Sequence, residues 1–136
     1  RKFDTIVDLD ASSPLRTVTD IKNAYKKFLK EKKNNLITVN QSRKNPYFNI
    51  IEHQGKKLKI VKKYKYLTRR QDAPTTYDMN ASIYIWKRNF LLKSDNILTN
   101  NTSVYEMPFE RSMDIDTKDD LKIVRLLMSR YKFING

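Results

Sequence analysis

The stretch that decides the fold is Phe3-Asp4-Thr5-Ile6-Val7-Asp8-Leu9, followed by Thr17-Val18-Thr19-Asp20-Ile21 and then by Leu36-Ile37-Thr38-Val39. Ile6, Val7 and Leu9 make Phe3 to Leu9 a strand, and Ser12-Ser13-Pro14 closes it with a loop. Ile21, Ala24, Tyr25, Phe28 and Leu29 then recur every three or four residues, which is one face of a helix. A Thr or Asp of the Thr17–Asp20 run supplies an N-cap, because its side-chain oxygen can take an otherwise unpaired backbone N–H. Lys30, Glu31, Lys32, Lys33 and Asn34-Asn35 end the helix, and Leu36 to Val39 is a short second strand. Strand, helix, strand is the unit that builds parallel sheets, so the expected class is α/β.

Working outward, the middle of the chain changes character. Asn49-Ile50-Ile51-Glu52 and Leu58-Lys59-Ile60-Val61 flank Gly55, the pattern of a hairpin. From Lys56 to Arg70 there are eight basic residues and no acid. That stretch is too polar for a core, so it reads as an excursion, spanning residues 45–75, from the main sheet. Ser82-Ile83-Tyr84-Ile85-Trp86 is an apolar strand, Phe90-Leu91-Leu92 a short helix, and Ser103 to Met107 a further strand. Thr117-Lys118-Asp119-Asp120 has the form of a capping box. Leu121, Val124, Leu127 and Met128 follow it at helical spacing.

The composition bounds the function. The chain has 136 residues, the size of one domain or a piece of one, and 39% are hydrophobic. It contains no cysteine, which excludes disulfides and thiolate metal sites. No apolar run reaches the roughly 20 residues of a membrane helix. The start has no long apolar segment of a signal peptide, so a cytoplasmic protein with no membrane partner is expected. Lys and Arg number 28 against 15 acids, a net charge of +13, which draws anions to the surface. Nucleic acid, a nucleotide triphosphate and an acidic sugar all satisfy that requirement; so does an ordinary solvated surface. The two glycines, 55 and 136, do not form a glycine-rich phosphate loop.

The sharpest local feature is Ser112-Met113-Asp114-Ile115-Asp116-Thr117. In an extended segment Asp114 and Asp116 point the same way, roughly 7 Å apart. Two carboxylates that close repel unless hydrogen bonds or a cation compensate, and a hard divalent ion with oxygen ligands is suited to that. A strand running into a helix start is also where open α/β sheets bind ligands. The alternative is that Asp116 only begins the next helix, where negative charge is favoured. His53, the one histidine, lies in the polar hairpin and reads as a surface residue. The Arg69-Arg70 pair could hold a carboxylate or phosphate by a two-pronged contact, or be an exposed loop pair.

Five strings, in order, carry a resemblance: Ser13-Pro14-Leu15-Arg16-Thr17, Asn45-Pro46-Tyr47, Arg70-Gln71-Asp72-Ala73-Pro74, Asn80-Ala81-Ser82-Ile83-Tyr84-Ile85 and Ser112-Met113-Asp114-Ile115-Asp116-Thr117. Together they resemble the acylneuraminate cytidylyltransferases (CMP-sialic acid synthetases), in the bacterial branch that handles sialic, legionaminic or related nonulosonic acids. The resemblance covers nearly the whole chain. It implies a three-layer, Rossmann-like nucleotidyltransferase fold with a mostly parallel sheet, and a protruding β-hairpin arm that joins a homodimer. It implies an enzyme that joins CTP and a nonulosonic acid to give a CMP-sugar and pyrophosphate, with Mg2+ as cofactor. By position it makes Asp116 the direct metal ligand and Asp114 a metal-orienting or proton-accepting residue. It places Arg70, Gln71, Asn80, Tyr84, Asp10, Ser12 and Ser13 at the substrates, and turns Tyr64, Tyr66 and Leu67 toward a partner subunit.

This chain departs from the family in places. Asp10 stands where the family often has glutamine, and a carboxylate there repels an anionic sugar unless a cation offsets it. Ala81 replaces a frequent glycine. Nothing matches the family's amino-terminal basic loop of the Ala-Arg-x-x-Ser-Lys type, which grips the triphosphate, so the 136 residues read as the carboxyl-terminal part of one cytidylyltransferase domain, inactive alone. Two other readings compete: a basic nucleic-acid-binding module with tyrosines interleaved among lysines, and a non-catalytic remnant that dimerises or pairs with a separate amino-terminal piece.

Overall fold

A computed structural model describes residues 3–63 and 69–130. Tyr64, Tyr66 and Leu67, assigned to a partner contact by the family resemblance, lie outside the described residues. The elements in chain order are β1 (Thr5–Leu9), α1 (Val18–Glu31), β2 (Asn35–Gln41), β3 (Ile51–Gln54), β4 (Lys57–Ile60), β5 (Tyr77–Lys87), α2 (Arg88–Leu91), β6 (Thr102–Glu106) and α3 (Lys118–Arg130). The chain divides into two compact units, residues 1–40 with 79–136, and residues 41–78.

The first unit is built on a four-stranded sheet of order β1-β5-β2-β6. β1 and β5 are antiparallel, with Val7 opposite Ile85. β2 and β6 are parallel, with Ile37 opposite Val104. Between β5 and β2, the Lys87 N–H donates to the Asn34 carbonyl (2.9 Å), while Ile83 meets Thr38. Ascending one strand therefore descends the other, so this pair is antiparallel too. The expectation of a mostly parallel sheet is corrected: α/β holds, but the sheet is mixed. The physical reason is β5. β1, β2 and β6 share one direction, as the strand–helix–strand reading implies, but β5 runs against them from an interior position. Two of the three pairings become antiparallel as a result.

β2 is buried from Asn35 through Asn40, as befits a strand with neighbours on both sides. The core consists of Ala24, Phe28, Leu36, Ile83, Ile85 and Met107, with Ile21 and Tyr105 packed against it. Ala24 and Phe28 come from α1 at the spacing that puts them on one face, so the helix covers the sheet with the residues its periodicity nominates. Thr17 caps α1. Its hydroxyl accepts the Asp20 N–H (3.1 Å), and the Asp20 carboxylate accepts the Thr17 N–H (2.9 Å). α3 begins with the matching device: Thr117 N–H donates to the Asp120 carboxylate (2.7 Å), and Asp120 N–H to the Thr117 hydroxyl (3.2 Å). Of α3, only Val124 is buried, and Ile123, Leu126 and Met128 are exposed.

The second unit carries the β3–β4 hairpin, with Ile51 opposite Ile60 and His53 opposite Leu58. Gly55 turns it at φ +65°, a conformation glycine adopts without a side-chain penalty. His53 is exposed, as its polar surroundings suggest. A short 3-10 turn, Arg70–Asp72, closes before Pro74, whose carbonyl accepts from the Asn45 amide (3.2 Å).

One residue in β5 is held against its preference. Ala81 has φ +52°, in the left-handed region, within the strand. An alanine there costs about 1–2 kcal/mol, while glycine's larger unfolded freedom offsets about 0.5–1 kcal/mol of the relief it would bring. Ala81→Gly should therefore leave stability unchanged or raise it by up to about 1 kcal/mol, and Ala81→Val, β-branched, should lower it by about 2 kcal/mol or more. Thermal or urea unfolding of both variants checks this; a valine variant as stable as the parent would contradict it.

A second prediction concerns acid. Asp20 is 1% exposed and forms a two-pronged ion pair with Arg111, Nε and Nη2 each 2.9 Å from a carboxylate oxygen. Burial pushes its carboxyl upward, but the bonds from Arg111 and Thr17 outweigh that and hold it below the usual carboxylate range. A group whose pKa is lower folded than unfolded stabilises the fold above its unfolded value and loses that contribution as pH falls through its folded value. Unfolding measured from pH 6 to 2 should show stability falling below about pH 4. Asp20→Asn should be less stable at pH 6 and show a shallower slope. An unchanged slope would contradict the assignment.

Candidate functional site

Four segments meet in the first unit at the end of the sheet where β1 finishes: the loop of residues 10–16, the start of β5's buried part, the N-terminus of α1 and the segment of residues 111–116. The loop is ordered from within. The Asp10 carboxylate accepts both the Ser12 N–H and the Ser12 hydroxyl, each at 2.8 Å. Those bonds, the backbone one first, with Arg16 adding its charge, hold the Asp10 carboxyl below its ordinary value. Arg16 reaches back over the loop, and its Nη1 donates to the carbonyls of Asp10 (2.5 Å), Ser13 (2.8 Å) and Ser82 (3.2 Å). The same Ser82 carbonyl accepts the Asp10 N–H at 3.3 Å. The carboxylate that departs from the family pattern is thus a turn-forming group, and the guanidinium beside it offsets its charge.

β5 ties this loop to the acidic segment. Asn80 is 5% exposed, and its side-chain amide donates to the Ser112 hydroxyl (3.0 Å). Ser112 in turn donates to the Pro108 carbonyl (2.8 Å). The Ser13 hydroxyl reaches the Asn80 carbonyl (3.5 Å). The Ile115 N–H donates to the Ser12 carbonyl (2.9 Å), so the acidic segment lies directly against the loop. Among the residues nominated from sequence, Asp10, Ser12, Ser13, Asn80, Asp114 and Asp116 are therefore brought to one linked cluster. Ser13 and Asn80 are buried with their polar atoms bonded inside the protein. Tyr84, further along β5, stacks on Trp86 with ring centroids 5.7 Å apart. Burial pushes its phenol upward, and the Asp10 and Asp8 carboxylates add to this. Arg70 and Gln71 are exposed in the 3-10 turn of the second unit.

Asp114 and Asp116 are both exposed. Their carboxylates have no hydrogen-bond or ion-pair partner among the described residues, in contrast to Asp10, Asp20 and Asp120. The segment that carries them differs from expectation. It is not a strand of the sheet: β6 ends at Glu106, and a 3-10 turn, Phe109–Arg111, intervenes. Its conformation comes from the anchors just described. Thr117 and Asp120 cap α3, and Asp116 stands immediately before that cap with its N–H 3.3 Å from the Asp120 carboxylate, a position where a helix start favours negative charge, as the alternative reading of Asp116 has it.

The donor set suits a hard divalent ion of the magnesium type. The ion keeps several waters and takes one or two carboxylates along with substrate phosphates, rather than a full protein cage. Two solvent-facing carboxylates on an anchored segment meet that need. Among the described residues no cluster of three or more His, Cys, Asp or Glu gathers.

Sequence reasoning missed Arg111 and the second role of Asp20. Thr17–Asp20 signals a helix start, and Asp20 does serve the cap, but its other oxygen holds an arginine 91 positions away. The only local hint was an arginine directly preceding Ser112. A cavity of about 430 Å³ lies elsewhere, where β1 begins and β5 ends, lined by Asp4, Phe28, Leu29, Lys32, Lys87 and Arg88 among others. It is at the opposite end of β1 from Asp10 and shares no residue with the cluster.

No family model matches the chain. Among characterised proteins it is 46% identical over 127 residues to post-translational flagellin modification protein B of Campylobacter coli, covering 93% of this chain and 54% of that protein. It is 48% identical over 127 residues, with the same coverage of 93% and 54%, to CMP-N,N'-diacetyllegionaminic acid synthase of Campylobacter jejuni. It is 31% identical over 113 residues to N-acylneuraminate cytidylyltransferase of Streptococcus agalactiae, covering 82% of this chain and 27% of that protein. The chain thus spans about half the length of the first two relatives. With the ordered strings of the loop, β5 and the acidic segment gathered at one place in the fold, these identities place the chain in the sialic-type CMP-sugar synthetase family, the acylneuraminate cytidylyltransferases.

Proposed function

We propose that this chain supplies the sugar-acid and cation side of a cytidylyltransferase that joins CTP and a nonulosonic acid, giving the CMP-sugar and pyrophosphate. The observation that carries the proposal is the pair Asp114 and Asp116, whose carboxylates have no partner among the described residues, held on a segment anchored to the 10–13 loop by the Ile115 N–H bond to Ser12 (2.9 Å). Asp116 and Asp114 would hold Mg2+, which when bound offsets charge that shifts to the departing pyrophosphate. Where Asp114 does not itself orient the ion, it accepts the proton of the sugar hydroxyl as that oxygen bonds to the α-phosphorus and pyrophosphate leaves. The 10–13 loop and Tyr84 border the sugar, with Asn80 fixing the wall behind. For Arg70 and Gln71, as holders of the sugar carboxylate, the support is their match to the family string and the two-pronged geometry arginine offers.

The 136 residues contain neither a glycine-rich phosphate loop nor a basic loop of the Ala-Arg-x-x-Ser-Lys type. We therefore expect no CMP-sugar from this chain alone with CTP. Cation binding is a separable property, and Mn2+ serves as the paramagnetic probe. Titration followed by electron paramagnetic resonance should show one site on the 136-residue chain, weakened about tenfold or more by Asp116→Asn, about 1.4 kcal/mol. Equal affinity in the variant would remove Asp116 from the site.

Exposed apolar residues on the hairpin of the second unit support a homodimer. Ile51 and Leu58 are exposed on one face of two strands that have no third strand among the described residues, a construction marginally stable in water by itself. A second copy covering that face would satisfy it. The double variant Ile51→Lys, Leu58→Glu should shift the mass measured by light scattering from two chains to one. A parent protein already of one-chain mass, or a variant still paired, would contradict the dimer. No helix among the described residues is long and apolar enough to cross a membrane. We place the activity in the cytoplasm, where CTP is supplied.

A further inference from the structure

We infer that the Asp20–Arg111 ion pair is a positioning device for the candidate cation segment, setting the path of residues 112–116 and so the placement of Asp114 and Asp116; this rests on the reading of those two carboxylates as the cation's ligands. Asp20 is the fixed partner. It sits in the first turn of α1, 1% exposed, and one of its oxygens accepts from the Thr17 N–H (2.9 Å) and the Thr17 hydroxyl (2.8 Å). That same oxygen takes Arg111 Nε at 2.9 Å, while the other oxygen takes Nη2 alone, also at 2.9 Å. The helix cap therefore does not need Arg111, and Arg111 is what the remaining oxygen is there to hold.

Arg111 is the last residue before the acidic segment. A two-pronged guanidinium–carboxylate contact fixes orientation as well as distance, which a lysine or an apolar side chain does not. The next anchors follow at once. Ser112 is gripped by Asn80 (3.0 Å) and Pro108 (2.8 Å), and Ile115 by Ser12 (2.9 Å). Asp114 lies between the Ser112 and Ile115 anchors, and Asp116 between Ile115 and the Thr117 cap. Neither carboxylate is steered by a bond of its own among the described residues, so their placement comes from the backbone. Apolar packing could replace a buried ion pair at little cost to stability. Orientation of the segment is the property that such a replacement would not restore.

The test uses the 136-residue chain with Arg111→Lys and Arg111→Met. Two readouts are taken: hydrogen exchange at the Ile115 amide relative to core amides such as Ile37 and Ile83, and Mn2+ affinity. The expected result in both variants is exchange at Ile115 faster by about tenfold, with core amides changed by less than about twofold. Mn2+ affinity should fall by about fivefold or more. A purely structural role would accelerate Ile115 and core amides by the same factor, and that outcome overturns the inference. So does unchanged exchange at Ile115. If the methionine variant does not fold, the lysine variant, which keeps the charge and loses the fork, decides by the same criteria. Should the parent chain bind no Mn2+, the cation reading of Asp114 and Asp116 falls, while the Ile115-to-core ratio still decides whether the pair positions the segment.

Discussion

The fold and the candidate site both hang on one reversed strand placed inside the sheet. β5 runs against β1, β2 and β6, and from that position it serves two ends. Its inward residues Ile83 and Ile85 join Leu36, Ala24 and Phe28 in the core. Its polar start supplies the groups that hold the loops: the Ser82 carbonyl takes Asp10 and Arg16, and Asn80 takes Ser112. An interior strand must pair on both sides, and Thr38 shows how closely this is met. Its hydroxyl bonds both the N–H (2.9 Å) and the carbonyl (3.2 Å) of Ile83 across the β2–β5 junction. The left-handed Ala81 falls between Asn80, which reaches Ser112, and Ser82, whose carbonyl takes Asp10 and Arg16.

The electrostatics follow a division of labour among carboxylates. Asp10 orders a turn, Asp20 holds an arginine and a helix cap, and Asp120 caps α3. Each has protein donors that favour its charged form. Asp114 and Asp116 are exposed on an anchored backbone with no such donors among the described residues. In a chain of net charge +13 the surroundings favour the charged form of these two acids as well, without a bond from any of the described residues.

Local signals in the sequence were reliable where one segment determines its own structure. Thr17 with Asp20, and Thr117 with Asp120, announced two helix starts, and both carry reciprocal caps. Gly55 between apolar pairs announced the hairpin. The sheet order was not legible, because nothing in Ser82–Trp86 says that it inserts between β1 and β2 rather than beside them. Pairing partners are chosen by packing across the whole unit. The first half of the strand, Tyr77 to Ala81, carries no apolar run to announce it; Asp78 takes the Ser42 hydroxyl and Asn80 holds Ser112, contacts set by residues distant in sequence. For the site, the acids of residues 114 and 116 and the loop of residues 10–13 were readable as motifs. Arg111 was not, since its role depends on a carboxylate contributed by a helix at the other end of the chain.

We have proposed that these residues form the sugar-acid and cation half of a CMP-sugar synthetase. The most direct measurement is a chimera in which this chain replaces the matching 127 residues of the Campylobacter jejuni CMP-N,N'-diacetyllegionaminic acid synthase. The chimera is assayed for pyrophosphate release from CTP with a panel of nonulosonic acids. The expected result is sugar-dependent release that disappears when Asp116 is changed to asparagine. A folded chimera that releases no pyrophosphate with any of the sugars, or one whose release is indifferent to Asp116, would contradict it.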